Sequence, residues 1–169
     1  VLENDASRRD AERHGRLDWA HNNAATAATP APVTAQRRER WDRVLAVTLT
    51  GTMLCLKHEI LQMQSQGSNG GAIVNTASTS GLGGHPNQSA YVAAKWGVIG
   101  LTKSLAVELG PYNVRCNAIC PGAVRGPRIQ KVIEGEAALR GVGAQLVAAE
   151  LVSEQSLTRF TELEEVAAL

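Results

Sequence analysis

The 169-residue chain is poor in the residues that form disulfides and metal sites. Its three cysteines, Cys55, Cys116 and Cys120, all lie in apolar stretches and form no Cys-x-x-Cys pair. We therefore expect reduced thiols in the core of a cytoplasmic protein. The four histidines show no i,i+4 pairing, and no cluster has the close ligand spacing of a zinc site. The sequence thus predicts no bound metal.

A large excess of one charge and long apolar runs are also absent. The 17 Lys+Arg residues balance 16 Asp+Glu residues to a net charge of +1, which gives no global field to attract nucleic acid or anionic lipid. The basic stretch at residues 37–43 is typical of a solvated helix face. No apolar run approaches the ~18 residues of a membrane span, and no secretory signal is visible. We expect neither a nucleic-acid partner nor a membrane.

The composition that remains is that of a globular domain. Hydrophobic residues make up 44% and charged residues 20%, and the length suits one domain over residues 1–169. The first residue is valine, and the last residues read as the start of a helix, with Thr161 and Glu164 as its capping box. We therefore expect the sequence to be part of a longer protein.

The hydrophobic pattern alternates between strands and helices. Apolar residues at steps of three and four predict helices, and short apolar runs predict strands buried on both faces. The strands are expected at residues 17–21, 72–77 and 114–120, and the helices at 5–14, 37–66 and 89–109, with further helices but no strand after residue 122. This order predicts an α/β fold with a parallel sheet and right-handed crossovers. Ligands bind beyond the carboxyl ends of such strands, where the loops at Asn22, Ser78 and Pro121 begin.

Three side chains near this edge could carry acid–base chemistry. Tyr91 and Lys95 are four residues apart near the start of a helix, so both project from one face. A neighbouring ammonium favours the phenolate and can lower a tyrosine pKa by ~1–3 units, which makes it a workable proton donor and acceptor. Ser78 ends a strand thirteen residues upstream, and its hydroxyl can bind the oxygen that gains or loses charge. The alternative interpretation of the pair is a surface lysine beside a half-buried tyrosine.

Taken together, these motifs resemble the classical short-chain dehydrogenases/reductases. Residues 17–25 are similar to the segment that ends in Asn-Asn-Ala-Gly after the family's fourth strand. Residues 73–78 are similar to the fifth strand with its serine, and residues 91–95 match Tyr-x-x-x-Lys. Residues 113–122 are similar to the sixth strand with its Pro-Gly turn. The resemblance implies an incomplete, Rossmann-like doubly wound parallel sheet, with the equivalents of strands four to six and their flanking helices.

The resemblance also implies an activity and a set of site residues. The expected activity is an NAD- or NADP-dependent oxidoreductase that transfers a hydride between the nicotinamide and a secondary alcohol or ketone. Tyr91 would be the general acid/base, Lys95 would lower its pKa and hold the nicotinamide ribose, and Ser78 would orient the substrate oxygen. The implied cofactor-binding residues are Asn23, Ala24, Ala25, Tyr91, Lys95, Pro121, Gly122 and Val124. A homodimer or homotetramer is expected for the complete protein.

The chain departs from the family pattern at several positions. No Thr-Gly-x-x-x-Gly-x-Gly turn is present, and the glycine-rich residues 67–71 read as a connector because they precede a strand. Thr48 replaces the catalytic asparagine, whose backbone carbonyl holds a water of the proton relay in the family. Ala25 replaces a glycine, and Gly126 stands where a threonine often contacts the nicotinamide amide.

These departures leave two interpretations open. The chain is either part of an active oxidoreductase or a truncated, non-catalytic relative that acts only as a subunit of an assembly. His85, in the loop between Ser78 and Tyr91, is either a residue of the substrate pocket or a passive loop residue. The sequence does not indicate the substrate or the choice between NAD and NADP.

Overall fold

Three parallel strands form the sheet in the computed structural model, which describes residues 13–27, 29–67 and 70–168. The strands are β1 (Trp19–Asn22), β2 (Gly71–Thr76) and β3 (Val114–Ile119), in the order β1-β2-β3. Ala20 pairs with Ile73, and Ile73 pairs with Cys116. The α/β fold with a parallel sheet is therefore confirmed, and each strand lies within two residues of its predicted position.

Helices connect and flank these strands. They are α1 (Arg38–Leu45), α2 (Gly51–Ser65), α3 (Ser89–Glu108), α4 (Pro127–Arg140), α5 (Ala144–Ser153) and α6 (Leu163–Ala167). A π-helical segment, Ala46–Thr50, joins α1 to α2, so the predicted helix at 37–66 is continuous but contains one wide turn. Short 3-10 turns lie at Val33–Ala35, Thr79–Gly81 and Gly110–Tyr112. The helix predicted at 5–14 falls largely outside the described residues.

The core lies where α2 and α3 pack on the sheet. Its buried cluster consists of Leu56, Met63, Ile73, Leu109, Val114 and Cys116. By length and composition alone, the continuous helix Arg38–Ser65 could cross a membrane, with a mean hydropathy of 1.4. However, Leu56 and Met63 of this helix are 1% and 0% exposed and pack in the core cluster with Ile73. Burial of this stripe is the ordinary behaviour of a helix that covers a sheet.

Local details correct three expectations. Cys55 is exposed rather than buried, because the neighbouring Leu56 occupies the core-facing position and successive helical residues point about 100° apart. A capping box does begin α6, but Glu162 and Glu165 form it instead of Thr161 and Glu164. Thr161 forms an isolated parallel bridge with Val124, where no strand pairing was expected. Since the bridge keeps Thr161 extended, the helix cap moves to the next residue.

The core position of α2 gives a direct test of the fold. We expect Leu56→Ala to lower the free energy of unfolding by ~2–5 kcal/mol, because the lost side chain leaves a cavity in the closed cluster. Leu61→Ala, in the same helix but at a side chain that is 56% exposed, should cost well under half as much. Urea unfolding followed by circular dichroism measures both values. Equal losses for the two variants would contradict this assignment of the buried face.

Candidate active site

The loops that follow the three strands meet at one edge of the sheet. The amide of Ala77, after β2, donates to the carbonyl of Ile119 at 2.8 Å. The amide of Thr79 donates to the carbonyl of Pro121 at 3.0 Å, so the loops after β2 and β3 are joined directly. The structure thus confirms that the predicted loops gather at the carboxyl edge, where parallel sheets bind ligands.

Ser78 occupies the start of the 3-10 turn Thr79–Gly81 at this edge. Its Oγ accepts a hydrogen bond from the amide of Ser80 at 3.1 Å. The turn packs closely on α3, since a β-carbon at Gly81 would lie 2.8 Å from the carbonyl oxygen of Lys95. A glycine at this position therefore lets the Ser78 loop approach the helix that carries Tyr91 and Lys95.

Lys95 is buried beside the ring of Tyr91. Its side chain is 2% exposed, and Nζ donates to the carbonyl of Thr76, at the end of β2, at 2.5 Å. Nζ lies 5.7 Å from the centroid of the half-buried Tyr91 ring, as the four-residue spacing predicts. Burial, and then the positive charge of Arg128, lower the pKa of Lys95 from 10.5 to about 8.

Sequence reasoning missed Arg128 as a residue of this site. Arg128 lies in the first turn of α4, and its guanidinium carbon is 5.2 Å from the centroid of the Tyr91 ring. Two cationic side chains therefore flank one tyrosine. The available signal was its position two residues after Gly126, which the resemblance places beside the nicotinamide. Neither the periodicity nor a motif predicts that Arg128, in a polar helix, packs against Tyr91, which lies far away in the sequence.

Thr48 connects the π-helical segment to the loop after β1. The side chain is 1% exposed, and its Oγ1 both accepts from the amide of Thr26 and donates to the carbonyl of Thr26, each at 3.1 Å. Its own carbonyl accepts from Thr52 Oγ1 at 2.9 Å. The threonine hydroxyl therefore holds the loop that contains Asn23, Ala24 and Ala25.

The loop after β1 is also fixed from the sheet side by two asparagine amides. Asn22 Nδ2 donates to Asn75 Oδ1 at 3.0 Å and to Glu59 Oε2 at 3.0 Å. Asn75, which is fully buried, in turn donates to Thr102 Oγ1 of α3 at 3.0 Å. This chain of bonds ties β1, β2, α2 and α3 together directly beneath the loop edge.

The residues implied to bind a cofactor are accessible at the same edge. Asn23 and Ala24 are exposed, while Ala25, Pro121, Gly122 and Val124 are partly buried. Small side chains leave room for a flat ring and a ribose, and the Lys95 ammonium supplies a hydrogen-bond donor. These features fit the nicotinamide–ribose half of a dinucleotide. Within the described ranges, no glycine-rich turn opens a helix to hold the pyrophosphate.

His85 lies on a cavity next to the Ser78 loop. The cavity has a volume of about 380 Å³ and is lined by Thr79, His85, Gly122, Ala123, Leu151, Glu154, Gln155, Ser156, Leu157, Arg159 and Thr161. Of the two interpretations of His85, this position favours a substrate-pocket residue. Among the residues that the structure describes, no group of three or more His, Cys, Asp or Glu side chains could hold a metal ion.

The reciprocal bonds of Thr48 give a stability prediction. Thr48→Val keeps the side chain's shape but leaves the amide and carbonyl of Thr26 without their hydroxyl partner, so we expect a loss of ~1–3 kcal/mol in the free energy of unfolding. Thr50→Val changes an exposed threonine of the same segment and should be nearly neutral. Urea unfolding of both variants makes the comparison. A silent Thr48→Val would show that the hydroxyl does not hold the loop.

The buried lysine gives a pH prediction with a defined sign. Between pH 8 and 10.5, the unfolded chain keeps a proton on Lys95 that the folded chain has released, so the free energy of unfolding should rise with pH. The lowered pKa corresponds to ~3 kcal/mol over that window. Lys95→Met should abolish this rise, whereas Lys103→Met, at an exposed position of α3, should keep it. Parallel pH profiles for Lys95→Met and the parent chain would contradict the prediction.

Comparisons with known proteins match nearly the whole chain. A family model described as Enoyl-(Acyl carrier protein) reductase matches residues 4–169. Levodione reductase from Leifsonia aquatica is 38% identical over 158 residues, which cover 94% of this chain and 57% of that protein. The chain spans little more than half the length of this curated relative.

Solved structures share the fold over nearly the whole chain. NAD+-bound xylitol dehydrogenase superposes with a TM-score of 0.89 at 32% identity, covering 95% of this chain and 63% of that one. An F189W variant of actinorhodin polyketide ketoreductase with NADPH gives a TM-score of 0.87 at 31% identity, covering 96% of this chain and 62% of that one. The motif order, the Rossmann-like parallel sheet and the matched family model lead to one conclusion: the chain belongs to the short-chain dehydrogenase/reductase family.

Proposed function

We propose that the chain contains the catalytic part of an NAD- or NADP-dependent oxidoreductase that interconverts a secondary alcohol and a ketone. The observation that carries the proposal is the placement of Lys95. Its buried ammonium lies 5.7 Å from the Tyr91 ring, and the Ser78 loop packs on the same helix. Among the described residues, Lys95 has no carboxylate partner. Burying such a lysine costs free energy, and such placements concentrate at functional sites.

Each of the three side chains has a separate role in the proposed reaction. Tyr91 donates a proton to the ketone oxygen during reduction and accepts it during oxidation. Lys95 stabilises the phenolate by its positive charge. Ser78 Oγ already accepts from the amide of Ser80, so its own hydrogen is free to bind the substrate oxygen.

The proposed cofactor is NAD or NADP. A bound nicotinamide would supply or accept the hydride, while this chain positions the substrate oxygen and moves the proton. Asn23, Ala24, Ala25, Tyr91, Lys95, Pro121, Gly122 and Val124 are the residues proposed to contact it. NAD+ in the xylitol dehydrogenase and NADPH in the ketoreductase support a dinucleotide without selecting between the two.

Thr48 is the feature that favours the second candidate, a subunit without catalysis. Its carbonyl, proposed to hold a water of the proton relay, already accepts from Thr52 Oγ1. The π-helical turn at Ala46–Thr50 interrupts the regular hydrogen-bond ladder of the helix at this point, and such turns are frequent at functional sites. This turn supports a working relay.

The proposed assembly and location follow from the surface and the cysteines. Large apolar side chains of α2 and α3 are exposed, among them Leu61 at 56%, Trp96 at 52% and Val107 at 81%. Burial of such residues in a two-fold interface supports a homodimer or homotetramer.

The proposed location is the cytoplasm. Cys116 and Cys120 form no disulfide, which supports this location.

The mechanism is tested by removing one oxygen atom. Tyr91→Phe deletes the transferable proton and keeps the ring, so we expect kcat to fall by at least ~10²-fold while cofactor affinity stays nearly unchanged. Turnover and NAD(H) or NADP(H) affinity should be measured in the longest polypeptide encoded around this sequence. Tyr112→Phe, at an exposed tyrosine before β3, is the matched control and should leave both values unaltered.

Two further variants separate the candidate functions. Lys95→Ala should lower both turnover and cofactor affinity, because Lys95 serves the phenolate and the ribose. Asparagine can keep both bonds to the Thr26 backbone, through Oδ1 and Nδ2. Thr48→Asn should therefore raise kcat alone if the threonine impairs the relay, and should be nearly silent if the carbonyl suffices. A Tyr91→Phe enzyme with near-parental turnover would end the proposed mechanism, whichever way the Thr48 result fell.

A further inference from the structure

Arg128 is the one guanidinium that lies on the reacting tyrosine among the residues that the structure describes. It projects from the first turn of α4, and its guanidinium carbon is 5.2 Å from the centroid of the Tyr91 ring. Lys95 Nζ lies 5.7 Å from the centroid of the same ring, so both cations share one site. A ligand of a few atoms can therefore contact both the guanidinium and the phenol oxygen.

The arginines around Arg128 are paired with acids, and Arg128 is not. Arg125 Nε donates to Glu162 Oε1 at 2.9 Å, and Arg140 donates to both carboxylate oxygens of Glu150. Throughout the described part of the chain, Arg128 makes no hydrogen bond or ion pair with a carboxylate, and its contact is the face of the Tyr91 ring. Among the described residues, its N–H donors therefore have no charged acceptor.

The nearby carboxylates of α4 are directed elsewhere. Glu136 accepts from Asn87 Nδ2 at 3.2 Å, and Glu134 accepts from Gln130 Nε2 at 2.9 Å. No acid of this helix therefore neutralises the two positive charges beside Tyr91. Two cations beside one tyrosine, with no acid of this helix directed to them, favour a ligand that brings a negative charge.

We propose that Arg128 binds a carboxylate of the substrate, so that the preferred substrates are hydroxy acids and their keto-acid counterparts. A guanidinium offers planar, paired donors that match the two oxygens of a carboxylate. The ring of Tyr91 holds the guanidinium by a cation–π contact and leaves its N–H edge free. The substrate's hydroxyl carbon lies at Tyr91, so the carboxylate is a few bonds away. This inference rests on the proposed function, because it names the substrate class of the same site.

The kinetic test compares an acid with its neutral counterpart. We expect Arg128→Gln to lower kcat/KM for 3-hydroxybutyrate by ~100-fold and to change kcat/KM for 3-hydroxybutanamide by less than ~3-fold. Arg128→Lys should give an intermediate loss, since it keeps the charge and loses the paired donors. Lys131→Gln removes the same charge one turn along α4 and is the matched control, with no effect on either substrate.

A binding measurement keeps the inference separate from the proposed activity. In the presence of NAD+, calorimetry should show butyrate binding to the parent protein, at least ~10-fold weaker binding to Arg128→Gln, and no such difference for butanamide. If the parent turns over neither alcohol, the butyrate result still decides the role of Arg128, because that measurement needs no turnover.

Three outcomes would overturn the assignment. Equal losses with the acid and the amide would show that Arg128 acts through Tyr91. A rise in the cofactor KM alone would assign Arg128 to a phosphate of the dinucleotide. Butyrate binding that is unchanged by Arg128→Gln would show that Arg128 does not contact the carboxylate.

Discussion

The arrangement of the site depends on one buried ammonium at the end of a strand. Lys95 reaches from α3 under the sheet edge and donates to the carbonyl of Thr76, where β2 stops. That bond fixes the helix against the strand, and Tyr91, one turn before Lys95, is fixed with it. Because the lysine is nearly inaccessible, its charge acts on its neighbours through protein rather than through water. One interaction thus positions Tyr91 and sets the local charge at this edge of the sheet.

Buried polar bonds then hold the remaining loops against this centre. Asn22, Asn75 and Thr102 link the strands to α3, and Thr48 holds the backbone of Thr26 from the other side. These groups are costly to bury unless each finds a partner, so the satisfied network specifies a single arrangement of the loop after β1. The polar residues in this small core are therefore structural components of the site and not defects of packing.

The sequence was sufficient for the elements and for the residues that share an element or a strand end. Tyr91 and Lys95 lie together because helical periodicity is local, and Ser78 joins them because parallel strands end at one edge. Arg128 could not be found in this way, because its contact with Tyr91 depends on how α4 packs after β3. The bridge between Val124 and Thr161 could not be predicted from the sequence for the same reason, because a single-residue pairing over 37 positions leaves no periodic signal.

The bridge between Val124 and Thr161 affects how far the sequence between these two residues can vary. The amide of Arg125 donates to the carbonyl of Thr161 at 2.8 Å, and the amide of Thr161 donates to the carbonyl of Ala123 at 3.0 Å. The helices α4 and α5 therefore belong to one long loop, whose two ends are hydrogen-bonded to each other at the carboxyl edge of the sheet. The entropy of closing such a loop depends only weakly on its length. Insertions and replacements within this loop can therefore accumulate while the sheet and Tyr91 stay in place, so related proteins can present different surfaces at the carboxyl edge and keep the Tyr91–Lys95 pair.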